Sequence, residues 1–396
     1  MSGLVAGTLS PLGDGVAISR NSRGGFAWFH LGWAALFAAC ALSLIGILAI
    51  DTTEAAFAKK QAVFGVVGVM VAVLICLPNI KRVTRCVWPL YFISLALLLF
   101  VMIPGVPEWL VRPKNGARRW ISLGLFEFQP SEIAKLAVVM ALALWMRAGS
   151  ELRRLGGFAM PFVLAAPPMM LILIEPDLGT ALMLAPAVVA MVLAAGARKR
   201  HVVYLIVAVV AIAPLSYPLL KSHQRERVDA LFAQLKGDHR YERDIGFQAD
   251  RAITLIGSGG FAGVGKDRAR ALVIHNRLPE QHNDMIFAVI CCRWGFLGGV
   301  LTWGFGMLFA FSALLIALLA RDSFSRLVCI GIAATFTAQL LINTGMNVGV
   351  LPVTGVTLPF ISYGGSSLVA LWISTGLLFN LARRRPRGIE RLEPIA

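Results

Sequence analysis

Apolar residues in this chain come in long unbroken runs. They do not alternate as in a half-buried strand, nor do they form the one-sided stripe of a soluble helix. Runs near the 20 residues needed to cross a bilayer fall at roughly 26–50, 62–80, 84–104, 131–149, 158–175, 178–196, 201–220, 284–319, 325–345 and 358–382. The pattern predicts an all-α polytopic membrane protein of about ten transmembrane helices. One large extracytoplasmic loop, 221–283, joins helices 7 and 8. Residues 1–25 and 385–396 read as tails around a single membrane domain, 26–384.

Charge gives the runs a direction. An even number of spans puts both termini on one side, and alternate connections then share a side. One set holds Arg20 and Arg23, Lys81, Arg82 and Arg85, Arg147, Arg153 and Arg154, Arg198 to Arg200, Arg321 and Arg326, and the Arg383 to Arg387 run. Every member is basic and poor in acids, so this set is expected in the cytoplasm, with both termini. The other set is 51–61, 105–130, 175–177, 221–283 and 346–357, and it carries most of the acids.

Composition agrees with this reading. The 396 residues are 58% hydrophobic and 15% charged, against about 25% charged in soluble domains. The net charge of +16 is accounted for by cytoplasmic loops and does not call for nucleic acid. Cysteines at 40, 76, 86, 291, 292 and 329 sit in or beside apolar runs, which argues against a disulfide-stapled external domain. The start is polar and Gly-rich and the first apolar run is span-length, so no cleavable signal peptide is expected.

Two external segments are more basic than topology requires. Segment 105–130 carries Arg112, Lys114, Arg118 and Arg119, and the large loop has eleven Lys/Arg against eight Asp/Glu. Two readings stand: a solvated or headgroup-facing surface, or a site for an anionic ligand met from outside.

Four constellations carry candidate chemistry. LPEQHNDMIFAV, Leu278 to Val289, puts Asp284 where a polar loop meets an apolar helix, and Arg293 is the one charge between Met285 and Ala320. A carboxylate at that boundary is costly unless paired or used. NGARRWISLGLFEFQPSEIAKL, Asn115 to Leu136, sets Pro130, Ser131 and Glu132 at a helix start, with Lys135 one turn on and about 4.5 Å deeper. It reads either as a cap with an interfacial ion pair or as a cationic pocket of Arg118, Arg119 and Lys135, which suits a pyrophosphate. Glu175-Pro176-Asp177 puts two carboxylates in one turn, either ordinary turn chemistry or a partner for the basic pocket or a divalent cation. Asn343 to Leu368 is interrupted by Pro352, Pro359 and Gly364-Gly365. There Ser362, Tyr363 and Ser366 either line a cavity or allow close helix packing. Glycines 257, 259, 260, 263 and 265 lack the strand-turn-helix setting of a nucleotide loop and are read as a flexible or tightly turned external segment. His275 and His282 have no zinc-ligand spacing with other His or Cys.

These four segments, in order and with ten predicted spans, resemble the SEDS family, the FtsW/RodA/SpoVE group of bacterial cell-wall proteins. NGARRW and LPFISYGGSS are more similar to the FtsW division branch than to RodA. The resemblance implies a peptidoglycan glycosyltransferase of the bacterial plasma membrane that polymerises lipid II. Its implied partners are a class B penicillin-binding transpeptidase and other divisome or elongasome membrane proteins. It implies Asp284 as the catalytic residue. The candidate substrate contacts read from the residues are Arg118, Arg119, Gln129, Ser131, Glu132, Lys135, Glu280, His282, Ser362 and Tyr363. A lipid II flippase and a non-catalytic scaffold that recruits a transpeptidase are the competing functions.

The implied chemistry suits the residues. A sugar 4-hydroxyl must lose a proton as it attacks an anomeric carbon, and a polyprenyl pyrophosphate leaves. Asp284 beside an apolar flank is expected to have a raised pKa and to serve as base. The cations are expected to stabilise the leaving group. A divalent cation, Mg or Mn, would assist without any ligand set here requiring it. One departure is marked. The family's EELG reads Cys292-Arg293-Trp294-Gly295, so two acids are absent and a cation is present. On one continuous helix Arg293 would lie about 13.5 Å deeper than Asp284, within the membrane, with no partner named by the sequence.

Overall fold

The computed structural model describes residues 30–113, 118–124, 126–147, 155–198 and 247–383, with residues 200, 201, 203, 204, 207, 225, 226 and 229. Both tails, most of the predicted span 201–220, most of the His223–Phe232 run, Lys114 and the Arg153-Arg154 pair lie outside the described residues.

Every other predicted span is met by a helix. They are α1 Gly32–Thr53, α2 Ala55–Cys76, α3 Ile80–Met102, α4 Pro130–Met146, α5 Leu155–Ile174, α6 Leu178–Ala194, α9 Ile286–Leu319, α10 Ser323–Asn347 and α11 Gly365–Ala382. Two shorter helices, the amphipathic α7 Phe247–Gly259 and the largely polar α8 Lys266–Asn276, precede α9. Among the described residues seven helices are long and apolar enough to cross a membrane. At 17 residues each, α4 and α6 reach about 25 Å, near the lower limit for a span. A two-residue hairpin pairs β1 Ile121–Ser122 with β2 Glu127–Phe128, antiparallel, Ile121 opposite Phe128. It packs Ile121 with Val111 on Val101 and so closes over the end of α3.

Two boundaries differ from the sequence expectation. The connection expected at 51–61 is Glu54 alone, because helix resumes at Ala55 and carries Lys59 and Lys60. The last span begins at Gly365 rather than 358, and 348–364 is irregular. In the bundle α2 lies along α11, and α9 lies between α1 and α10. A side chain on Gly376 would come within 2.5 Å of the Ala72 carbonyl, which is the small-residue contact that lets membrane helices approach closely.

The 34 residues of α9 are not one rod. Gly295 has φ 66° and ψ −157°, which only glycine adopts readily. The break would strand carbonyls on one side and N–H groups on the other. The turn between α7 and α8 fills it. Val264 and Gly265 donate N–H to the carbonyls of Cys292 (3.0 Å) and Arg293 (3.2 Å), and Phe296 and Leu297 donate to those of Gly260 (2.9 Å) and Phe261 (3.2 Å). The glycine run expected to be a flexible or tightly turned external segment is thus a tight turn packed into a helix break. At Gly263, φ is 85° and a Cβ would stand 2.2 Å from the Arg293 carbonyl.

The break also corrects the depth of Arg293. Its guanidinium donates to the Leu48 carbonyl and to Thr52 Oγ1 (2.8 Å) at the end of α1, and it stacks 4.3 Å from the Trp294 ring. Asp51, one residue away, pairs with Lys266 at the start of α8. At the other end of the 286–294 segment, Ala288 N–H donates to Asn347 Oδ1 (3.2 Å) at the end of α10. Both ends of the segment therefore lie level with helix ends on one side. It runs across the bundle and does not descend through it, and Arg293 sits at the rim. A carbonyl, a hydroxyl and a nearby acid serve a rim cation without a transmembrane acid.

Gly263→Ala should cost about 2 kcal/mol or more and lower the thermal unfolding midpoint of the detergent-purified protein. Gly257→Ala, helical and with no atom within 4 Å of its Cβ, should leave that midpoint unchanged or raise it, by up to about 1 kcal/mol of helix propensity. Equal midpoints for both variants would contradict the account of the filled break.

Candidate functional site

Asp284 is delivered by a tight turn. Glu280, in the left-handed region at φ 48°, accepts the N–H groups of Asn283 (3.0 Å) and Met285 (3.2 Å) on its carbonyl. Asn283 Nδ2 donates to Glu280 Oε2 at 2.6 Å. The turn ends with Met285 as the N-cap of α9, so Asp284 lies one residue outside the helix. Its carbonyl accepts two side-chain amides, Asn343 Nδ2 and Asn347 Nδ2, both at 2.9 Å. Asn343 Nδ2 also reaches the Val356 carbonyl (2.6 Å). The two asparagines are one helical turn apart on α10, hence on one face. They tie three pieces together: the start of α9, the end of α10 and the irregular segment 354–356. The carboxylate of Asp284, which is half-buried, lies beside Gly355, whose Cβ would be 3.5 Å from Oδ2.

The irregular segment before α11 closes on the same turn. Ser362 Oγ accepts from Leu358 N–H (2.7 Å) and donates to the Asn283 carbonyl (2.6 Å). Tyr363 N–H donates to the His282 carbonyl at 2.9 Å. Gln61, buried on α2, donates to the Ser362 carbonyl (2.9 Å) and accepts from Gly364 N–H (3.3 Å). The His282 ring lies 4.7 Å from Phe57 and 5.9 Å from Tyr363. Burial holds its imidazole below the usual value, and Glu280 and Glu54 oppose this only in part. Glu280, His282, Asp284, Ser362 and Tyr363 thus form one knot. Gln61, Asn343, Asn347 and Phe57 belong to it and were not singled out from the sequence.

The second group of sequence-predicted residues surrounds the start of α4. Gln129 is its N-cap residue. Its N–H donates to Ser366 Oγ (3.0 Å), and that hydroxyl donates to the Glu127 carbonyl (2.6 Å). Its amide donates to Asp177 Oδ2 (3.3 Å), while Asp177 caps α6 through Thr180 N–H (3.2 Å) and Thr180 Oγ1 (2.9 Å). Glu132 and Lys135 are each 6% exposed and pair at 3.0 Å. They border a cavity of about 40 Å3 with Thr335, Gln339 and Ser374. Ser131 is fully buried, and its hydroxyl has no hydrogen-bond partner among the described residues.

Arg118 and Arg119 organise the external loop. Arg118 Nη2 donates to the Val106 carbonyl (2.7 Å), while its Nε is buried without a partner among the described residues. Arg119 Nε donates to the Glu175 carbonyl (2.6 Å), and its Nη2 donates to that of Pro176. Lys135 makes its contact with Glu132 inside the bundle instead. The two groups meet where α6 begins: a Cβ on Gly179 would be 2.6 Å from Val356 Cγ2 and 2.8 Å from the Thr354 carbonyl, next to Gly355 and Asp284. No three His, Cys, Asp or Glu side chains converge as a metal cage among the described residues.

Glu175 stands apart electrically. It is 4% exposed and neither carboxylate oxygen has a partner among the described residues. Burial, with Asp177 adding to it and Arg119 opposing, pushes its pKa up to about 8 from 4.5. An acid with a raised folded-state pKa binds more protons folded than unfolded between those values, so stability falls as pH rises through that window. Thermal midpoints of wild type should therefore drop between pH 5 and pH 8 relative to Glu175→Gln, whose amide does not titrate. Parallel curves would contradict a protonated Glu175.

Comparison with known proteins agrees with the geometry. A family model described as Cell cycle protein, FtsW/RodA/SpoVE, matches residues 25–387. Stage V sporulation protein E of Bacillus subtilis is 35% identical over 83% of this chain and 87% of its own length. The probable peptidoglycan glycosyltransferase FtsW of Trichlorobacter lovleyi is 33% identical over 82% of this chain and 83% of its own length. Among solved structures, a chain from a study of polymerisation and crosslinking by a peptidoglycan synthase complex superposes with a TM-score of 0.77 at 32% identity, covering 90% of this chain and 98% of that one. The rod shape determining protein RodA of Thermus thermophilus gives 0.67 at 29% identity, covering 89% and 97%. With its helical bundle and the match over nearly its whole length, the chain belongs to the FtsW/RodA/SpoVE family of cell cycle proteins.

Proposed function

We propose that this protein is an integral-membrane peptidoglycan glycosyltransferase that polymerises lipid II, with Asp284 as general base. The printed names of its relatives support the reaction class. The observation that carries the base is the fixing of Asp284 by two amides on its carbonyl. Its backbone is held from α10, which fixes where its half-buried carboxylate stands, beside Gly355. The acceptor 4-hydroxyl gives its proton to Asp284 as it attacks the anomeric carbon of the donor sugar, and the bond to the polyprenyl pyrophosphate breaks. A positioned base of this kind contributes about 10²–10⁴-fold.

Arg118 and Arg119 are the groups for the departing pyrophosphate. The buried Nε–H of Arg118, which has no partner among the described residues, supports this, since an anionic oxygen is the natural acceptor for such a donor. Lys135, paired with Glu132, adds field from within the bundle. The lipid lies among the helices while the sugars stay at the rim. The basic connections support a bacterial plasma-membrane protein with both termini on the cytoplasmic side. The similarity to a chain of a peptidoglycan synthase complex supports a class B transpeptidase as partner.

The test is glycan synthesis from lipid II by purified protein, with its cognate transpeptidase present. Asp284→Ala should lose about 10²-fold or more while keeping the wild-type elution profile and thermal midpoint. Glycan chains from Asp284→Ala at the wild-type rate would remove Asp284 from the mechanism. No chains from folded wild type would leave lipid transport or scaffolding as the function.

A further inference from the structure

We propose that Phe57, with Tyr363 and His282, forms an aromatic platform that binds the pyranose ring of the acceptor sugar beside Asp284. The proposal rests on the polymerase reading of the site. Phe57 lies on the first turn of α2, just past the Glu54 break. Its ring stacks on Tyr363 at 4.7 Å and 29°, and it meets His282 at 4.7 Å and 47°. Tyr363 and His282 meet edge to face at 5.9 Å. All three rings are half-buried, and Glu54, Lys59 and Lys60 around them are exposed, with Lys60 Nζ 5.9 Å from the Phe57 centroid.

The composition favours a sugar. A pyranose ring has one face of C–H bonds and a rim of hydroxyls. It needs an apolar, polarisable floor and charged or amide groups at the edge. Burial lowers the pKa of the half-buried imidazole, which favours its uncharged form, and its Nδ1 lacks a partner among the described residues. A neutral ring presents a stacking face without a net charge to desolvate.

Continuity with Asp284 selects the acceptor. His282 is two residues from Asp284, so at most about 7 Å of chain separates them, comparable with one sugar unit. The Tyr363–His282 and Ser362–Asn283 hydrogen bonds (2.9 and 2.6 Å) lock the floor to the base-bearing turn. A hydroxyl poised at Asp284 therefore brings its own ring to this floor. The sequence offered no sign of Phe57, which lies some 220 residues earlier in the chain.

The experiment compares Phe57→Leu and Phe57→Tyr with wild type in two assays on the full-length protein. One is the lipid II concentration dependence of polymerisation. The other is binding of the soluble disaccharide pentapeptide. Leucine keeps apolar bulk but no π face. It should raise the half-saturating lipid II concentration and the dissociation constant about tenfold, with kcat little changed, and tyrosine should restore both. Unchanged saturation and binding in Phe57→Leu would overturn the platform while leaving the polymerase intact. Wild type that makes no glycan yet binds the disaccharide pentapeptide through Phe57 would keep the platform and overturn the polymerase. Tyr363→Leu tests the same face should Phe57→Leu fail to fold, and unaltered binding there would equally overturn the proposal.

Discussion

No backbone N–H or carbonyl can be left bare where water is scarce, and among the described residues the break at Gly295 and the irregular segment 348–364 both meet this demand. Both interruptions are answered by groups distant in sequence. At Gly295 the answer is backbone, the glycine turn that matches both sides of the break. In 348–364 the answer is amide side chains: Gln61 on Ser362 and Gly364, Gln339 on Thr357, Asn343 on Val356. An amide carries donor and acceptor without charge, so it can patch irregular backbone in an apolar setting without the desolvation cost of an ion. The site grows out of this patching, because Asn343, which satisfies Val356 in segment 348–364, also holds the Asp284 carbonyl, and Asn347 one turn on holds it too.

The charged groups divide by depth. Glu132 and Lys135 are buried together, and removing either partner would leave the other charged and alone, a loss of about 3–5 kcal/mol in comparable pairs. Arg293, Asp51 and Lys266 work at the rim, where water shares the load. The absence of the family's two acids before Gly295 is therefore not a wound in the bundle. The cation that replaces them is tied to the end of α1, and it fastens the 286–294 segment whose other end carries Asp284.

The spans were legible because a bilayer imposes one simple demand, about 20 apolar residues, and the chain meets it in plain runs. Asp284 stood out as a candidate because a carboxylate at such a boundary is conspicuous. What the sequence hid has specific causes. Gly295 looks like its neighbours Gly298 and Gly299 in an apolar run, and its meaning lies in a complementary turn some 30 residues earlier. Arg293 invited a search for an acid, whereas its direct partners are a hydroxyl and a carbonyl, which leave no charge signal. Asn343 and Asn347 did leave a signal, two amides one turn apart on an apolar helix, and it reads as a clamp only once Asp284 is seen between them. Phe57 and Gln61 depend on which helix start faces the 358–364 segment, a matter of tertiary packing alone.

The central claim is that Asn343 and Asn347 act on catalysis through Asp284. The most direct measurement is a double-mutant cycle of Asn347→Ala and Asp284→Ala, read as the single-turnover rate of glycan-bond formation with folded, saturated enzyme. If the asparagine works by holding Asp284, each single change slows the reaction and the double variant is no slower than Asp284→Ala alone. If the two losses multiply, Asn347 acts independently of Asp284, and the account of a base fixed by its backbone is wrong.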